Sequence, residues 1–235
     1  MNSSQHTKGR GASNLPPMIW AVVADLEGSR HILNREGFAK RLEEVLTELG
    51  QGAEAGKNEW IAPLESTRGL DELSGAVLKP GPALRAYFHL NRSLWPHRFR
   101  FALGRGRIDV GLESGQAGSM DGPAFHLAAD ALDRAKKEGK PLAIAARGAP
   151  DSALALAESC AGLHASCVLA WTPRQAAVVS AWLRTRNQKS VAASLGVTQS
   201  TISEILAKAR LKTIMKAERD LSAFLDWIDE NLPGE

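Results

Sequence analysis

Apolar positions along this chain follow two rhythms, which change over near residue 150. The run MIWAVVADLEGSR is continuous, rich in strand formers and stopped at Asp25 and Gly28, which predicts a buried strand. NREGFAKRLEEVLTELGQG then sets Phe38, Leu42, Val45, Leu46 and Leu49 at helical spacing, with Gly50 as a stop. NEWIAPLESTRGLDELSGAVLKP reads as two strands joined by a turn around Arg68 to Glu72. Pro80 and Pro82 open a helix whose face carries Leu84, Tyr87, Phe88 and Leu94. Phe99, Phe101 and Leu103 then alternate with Arg98 and Arg100, the period of a strand. DGPAFHLAADALDRAKKEGK is a helix closed by Gly139, and PLAIAARG is a last strand. Beyond Asp151 every apolar repeat is helical.

The predicted order is β-α-β-β-α-β-α-β followed by helices alone. It suits an α+β fold, a ferredoxin-like sandwich followed by an all-α domain. Residues 1–17 are polar and predicted disordered, 18–150 form the α/β domain, 151–170 a helical connector, and 171–235 the helical domain. In the last, Thr172 caps a helix with Pro173 in its first turn, burying Ala176, Val179 and Leu183. A second helix spans roughly Lys189 to Leu195 and ends at Gly196; Thr198 caps a third, QSTISEILAKAR. Small Ala192, with Val197, Ile202 and Ile205 as core, completes a helix-turn-helix pattern that resembles the DNA-binding region of sigma factors. The terminal helix carries Leu221, Phe224, Leu225 and Ile228 on one stripe, read as a fourth wall of that core or as a dimer seam.

Charge sharpens this reading. The chain's net charge is only +3, but between Thr172 and Lys212 seven cations face Glu204 alone, so the positive field belongs to the helical segment. In the helix-turn-helix geometry the start of the third helix meets base edges, so Gln199, Ser200, Ser203 and Glu204 are the expected readers, with Thr198 and Thr201 beside them in the DNA-binding set. Arg184, Arg186, Lys189 and Lys208 are expected on phosphates, where they set affinity without sequence information. The partner is double-stranded DNA, held by a homodimer. Cys160 and Cys167, seven residues apart on one helix face, are read as small buried residues rather than a disulfide or zinc site. No signal peptide is apparent, and no stretch approaches the roughly 18 apolar residues of a membrane span. The expected location is the cytoplasm.

VVADLEGSR, GLDELSG, RFALGRGRIDVG and SMDGPAFHLAADAL, in that order and spacing, resemble the SatD family over Trp20 to Arg147, with MDGPAFH the most specific piece. The resemblance implies a domain like those of the class III and GGDEF-type nucleotide cyclases. There, a carboxylate ending the first strand and another on the adjacent hairpin hold Mg²⁺ and its triphosphate. Asp25 takes the first position; Asp71 and Glu72 take the second. Gly28 and Ser29, between strand and helix, offer backbone N–H groups to phosphate. His126 stands where the cyclase helix presents a ribose-binding Asn, and Asp130 where it presents a phosphate-binding Arg, an exchange that repels the substrate. Leu70 replaces the usual Gly before the hairpin carboxylate.

Each of these residues also has a plainer reading. Asp25 caps the following helix, Asp71 and Glu72 are turn residues, and His126 is a hydrogen-bonded core residue. Gly104 and Gly106 mark a phosphate loop or, more plainly, a bulge or close packing. The leading expectation is a DNA-binding transcription regulator whose first domain senses a ligand, such as a nucleotide, or dimerises, with no chemistry of its own and Mg²⁺ as the one cofactor in view. The alternatives are a Mg²⁺-dependent nucleotide cyclase or nucleotide-processing enzyme coupled to DNA, and a protein-binding helical module.

Overall fold

The computed structural model describes residues 18–51 and 59–232, so the tail expected over 1–17 lies outside the described residues. Its architecture is mixed α/β, with five strands and eight α-helices among the described residues. Strands β1 (Ile19–Leu26), β2 (Trp60–Arg68), β3 (Glu72–Val77), β4 (Phe99–Gly106) and β5 (Leu142–Ala146) form one sheet in the order β2-β3-β1-β4-β5. Neighbours are antiparallel except β4 and β5, which run parallel. Helix α3 (Pro123–Glu138) makes that parallel crossover, as strands of one direction require.

The period of two along β1 divides the sheet's faces. Trp20, Val22, Ala24 and Leu26 pack with Phe38, Leu42 and Val45 of α1 (Arg35–Gln51) and with Leu84, Tyr87 and Phe88 of α2 (Pro80–Ser93). Ile19 and Ala21 point the other way, under Ala124 and Ala128 of α3. Helix α1 runs through Gly50 to Gln51 rather than stopping there. Helix α3 lies almost against the backbone of β4: a Cβ on Gly104 would stand 2.3 Å from the Ala124 carbonyl oxygen. The glycines of LGRGR therefore serve close packing.

The remaining helices are α4 (Asp151–Leu169), α5 (Pro173–Thr185), α6 (Gln188–Leu195), α7 (Gln199–Lys208) and α8 (Leu211–Glu230). A second, smaller core gathers Val168, Trp171, Val178, Val179, Val191, Ile202, Leu206, Leu211 and Ile214. The Trp171 indole donates to the Ala209 carbonyl inside it, 3.0 Å away. Ala176 and Leu183, expected to be buried, are only partly so; Val178 takes the inner position.

Helix α8 departs from the expectation of one wall or one seam. Its start closes the small core, while Leu221, Leu225 and Ile228 enter the large core beside the sheet. Polar contacts fix it there. Asp229 accepts from the Trp20 indole at 2.9 Å and from buried Arg105 at 2.7 Å, and Asp226 accepts from the Gly81 N–H at 2.7 Å. That last bond caps α2 from outside, since Lys79 at its own N-cap supplies no side-chain bond.

Helix α4 is likewise more than a connector, with Leu154, Ala157 and Ala161 in the large core. Its buried Glu158 accepts from Arg134, Lys140 and the Ile144 N–H, tying it to α3 and β5. Two expectations change here. Cys160 is exposed and Cys167 half-buried, because the inward face of α4 is the one holding Ala157, Ala161 and His164. By length and composition α4 is also apolar enough to cross a membrane.

Candidate nucleic-acid interface and the sheet carboxylates

Local chemistry explains each break between α5, α6 and α7. Thr172 and Gln175 form a reciprocal capping box at the start of α5. Arg186 ends α5 in the left-handed region at φ 51°, its guanidinium 5.0 Å over the Trp182 ring and 3.8 Å from the Met215 sulfur. The Asn187 side chain accepts from the N–H groups of Lys189 and Ser190, starting α6. Gly196, at φ 63°, turns the chain, and the Thr198 hydroxyl accepts from the Thr201 N–H to start α7.

Ile202 and Leu206 anchor α7 on the small core. Away from those two, Ser200, Ser203, Glu204 and Lys208 are exposed at helical spacing on one side, and Gln199 is exposed in the first turn. Thr201 is half-buried and Thr198 exposed at the helix start, both bound up in the cap. Lys189 is exposed at the start of α6. Every residue expected to read bases thus lies on or beside one helix end. Arg184 and Arg186 stand apart from it, lining a cleft against α1 and α2 together with Arg41, His89 and Arg92. Sequence reasoning missed those three because helical spacing cannot show what an interhelical cleft will bring together.

Of the residues expected to bind metal, Asp25 and Asp71 do not converge. Asp25 turns to the α3 side, where Lys136 holds it at 2.9 Å. Asp71 reaches the other layer, toward Arg35 at the start of α1, 3.9 Å away. Glu72 pairs across the strands with Asp25 but meets Arg68 at 3.6 Å. Each carboxylate answers a cation of its own, and no group of three metal-ligating side chains forms among the described residues. The Asp25–Asp71 pair that the cyclase comparison implies is not formed; Asp25 stands opposite Glu72 instead.

The expected phosphate contacts are equally scattered. Gly28, at φ 66°, and Ser29 form a short 3-10 turn after β1, where their carbonyls accept from His31 and Arg35. His126 sits near the opposite end of α3, exposed, 3.0 Å from Asp121. It is therefore neither a core residue nor a neighbour of Gly28. The open side of the sheet does hold a groove of 710 Å³, lined by Glu65, Arg68, Glu72, Ser74, Asp133 and Lys136 among others.

The family model of the SatD family matches residues 19–225, a span that takes in the sheet, α4 and the helices α5 to α7. No curated protein and no solved structure matches the chain.

Proposed function

The chain belongs to the SatD family, and from that footing we propose that it is a DNA-binding transcription regulator, with α5–α7 as a helix-turn-helix and the sheet domain as its ligand-sensing part. One observation carries this reading: the exposed face of α7 presents Gln199, Ser200, Ser203 and Glu204 at its start, in a segment where cations far outnumber carboxylates. Gln holds adenine through two bonds, Glu accepts from cytosine, and lysines meet phosphate. The strand order β2-β3-β1-β4 with antiparallel neighbours supports the ferredoxin-like, cyclase-related reading of the first domain. The alternative, a nucleotide cyclase, has less support because Asp25 and Asp71 serve opposite layers. Binding as a two-fold dimer in the cytoplasm completes the proposal; the apolar stripe of α8 is spent on the sheet lobe, so the dimer seam lies elsewhere.

Fluorescence anisotropy on DNA selected from a random pool tests it. Lys189→Ala weakens binding to all sequences alike and lowers the salt slope by about one. Gln199→Ala costs about 1–3 kcal/mol at the preferred site and relaxes one base position. Absence of any salt-dependent DNA binding by the full chain overturns the reading.

A further inference from the structure

Between α1, α2 and α5 lies a cleft of 350 Å³, with one wall from the sheet lobe and one from the helical lobe. Its lining includes four arginines, Arg41, Arg92, Arg184 and Arg186, with His89; Glu48 is the one carboxylate among its described lining residues. Like charges so gathered repel one another unless an anion stands among them.

For Arg41 and Arg184 the carboxylates at hand answer this only in part. Glu48 lies 3.3 Å from His89 and 3.8 Å from Arg41, the second beyond hydrogen-bond reach, and its side chain is half-exposed. Glu44 meets Arg41 at 3.1 Å from outside the cleft. Arg184 donates to the Ser180 hydroxyl at 2.8 Å and meets no carboxylate among the described residues. Arg92 is fixed by Glu218 of α8, its side chain 5% exposed, and its Nε is buried with no hydrogen-bond partner.

We propose that this cleft binds a small phosphorylated ligand between the two lobes. Guanidinium forks suit phosphate oxygens, pair with them in twos and cannot lose their charge. Ser93 and Ser180 add hydroxyls at the wall. A volume at the low end of small-molecule sites suits a phosphorylated sugar or a mononucleotide. A DNA backbone does not reach a side chain as enclosed as Arg92. The site stands on this geometry alone; its meaning as the regulator's effector site rests on the DNA-binding reading above.

Calorimetric titration of the full chain with inorganic pyrophosphate, and separately with ATP, tests the proposal at low ionic strength. Saturable one-to-one binding is expected, weakened roughly tenfold in Arg184→Ala and in Arg41→Ala. Arg68→Ala, in the groove on the sheet, should bind as the parent does. Tighter binding of ATP than of pyrophosphate assigns the ligand to nucleotides; equal binding assigns it to the phosphate group alone. Absence of saturable binding overturns the site, and so does an equal loss in Arg68→Ala, which would mark general charge attraction. Loss of DNA affinity in Arg184→Ala with pyrophosphate binding untouched also overturns it, giving the arginine to the DNA backbone. Ligand binding without any change in DNA affinity keeps the site and removes its regulatory role.

Discussion

Glu218→Ala is expected to lower the free energy of unfolding by about 3–5 kcal/mol, because it strands a buried arginine. Glu218 is the hinge of a three-helix contact, joining Arg92 of α2 and His164 of α4 to α8, with His164 Nε2 at 2.8 Å. The three side chains are 10%, 5% and 4% exposed, so water does not replace a lost partner. His164 packs against Phe88 with ring centroids 4.5 Å apart, which fixes its imidazole toward the carboxylate. Urea denaturation of parent and variant at pH 7 reads the difference directly.

The same contact carries a pH dependence of definite sign. Burial pushes the Glu218 carboxyl up, but Arg92 and His164 together outweigh it and hold the group below the ordinary carboxylate range. A folded-state value lower than the unfolded one means the stabilisation is complete above the unfolded value of about 4.3. It is lost as pH falls through the folded value. The stability gap between the parent and Glu218→Gln should therefore narrow as pH falls below about 5. A gap that widened on acidification would mean that the carboxylate is not stabilised in the fold.

This contact shows where sequence legibility ended. Strands and helices were readable because each obeys its own local period: Phe99, Phe101 and Leu103 of β4 are fully buried, as alternation requires. The breaks at Thr172, Gly196 and Thr198 were readable because caps are local chemistry. What pairs with what over 126 positions, as Arg92 does with Glu218, has no period and no local signature. Helix α8 is the plainest case. Its stripe of Leu221, Leu225 and Ile228 announced an apolar face, but only the tertiary fold shows that the sheet lobe takes it. The candidate sites divide in the same way. The face of α7 follows from helical spacing alone. By contrast, Asp25 and Asp71 look like a pair along the chain, but Asp25 lies opposite Glu72, so Asp71, one residue away, falls to the other layer, and each meets a different cation there.

The LGRGR segment offers the second large effect, with an internal contrast of sign. Gly104→Ala is expected to destabilise the fold by about 3 kcal/mol, the upper part of the usual range for forcing atoms into a filled core. An added Cβ would lie 2.3 Å from the Ala124 carbonyl oxygen and 2.4 Å from the Ala128 nitrogen. Both are backbone atoms of α3, so no side chain can rotate away and the helix itself must lift off β4. Lifting it also disturbs Ala131 and Ala135 further along, which pack on Ala102 and Ala143 of the sheet. Gly162→Ala in α4 should do the reverse. Nothing stands within 4 Å of a Cβ there, and a helix interior gains about 0.8–1 kcal/mol when Gly becomes Ala. Thermal and urea unfolding of the two variants against the parent should therefore bracket it from either side. If Gly104→Ala proved neutral, α3 would not rest on β4 at this distance, and the phosphate-loop reading of these glycines would return.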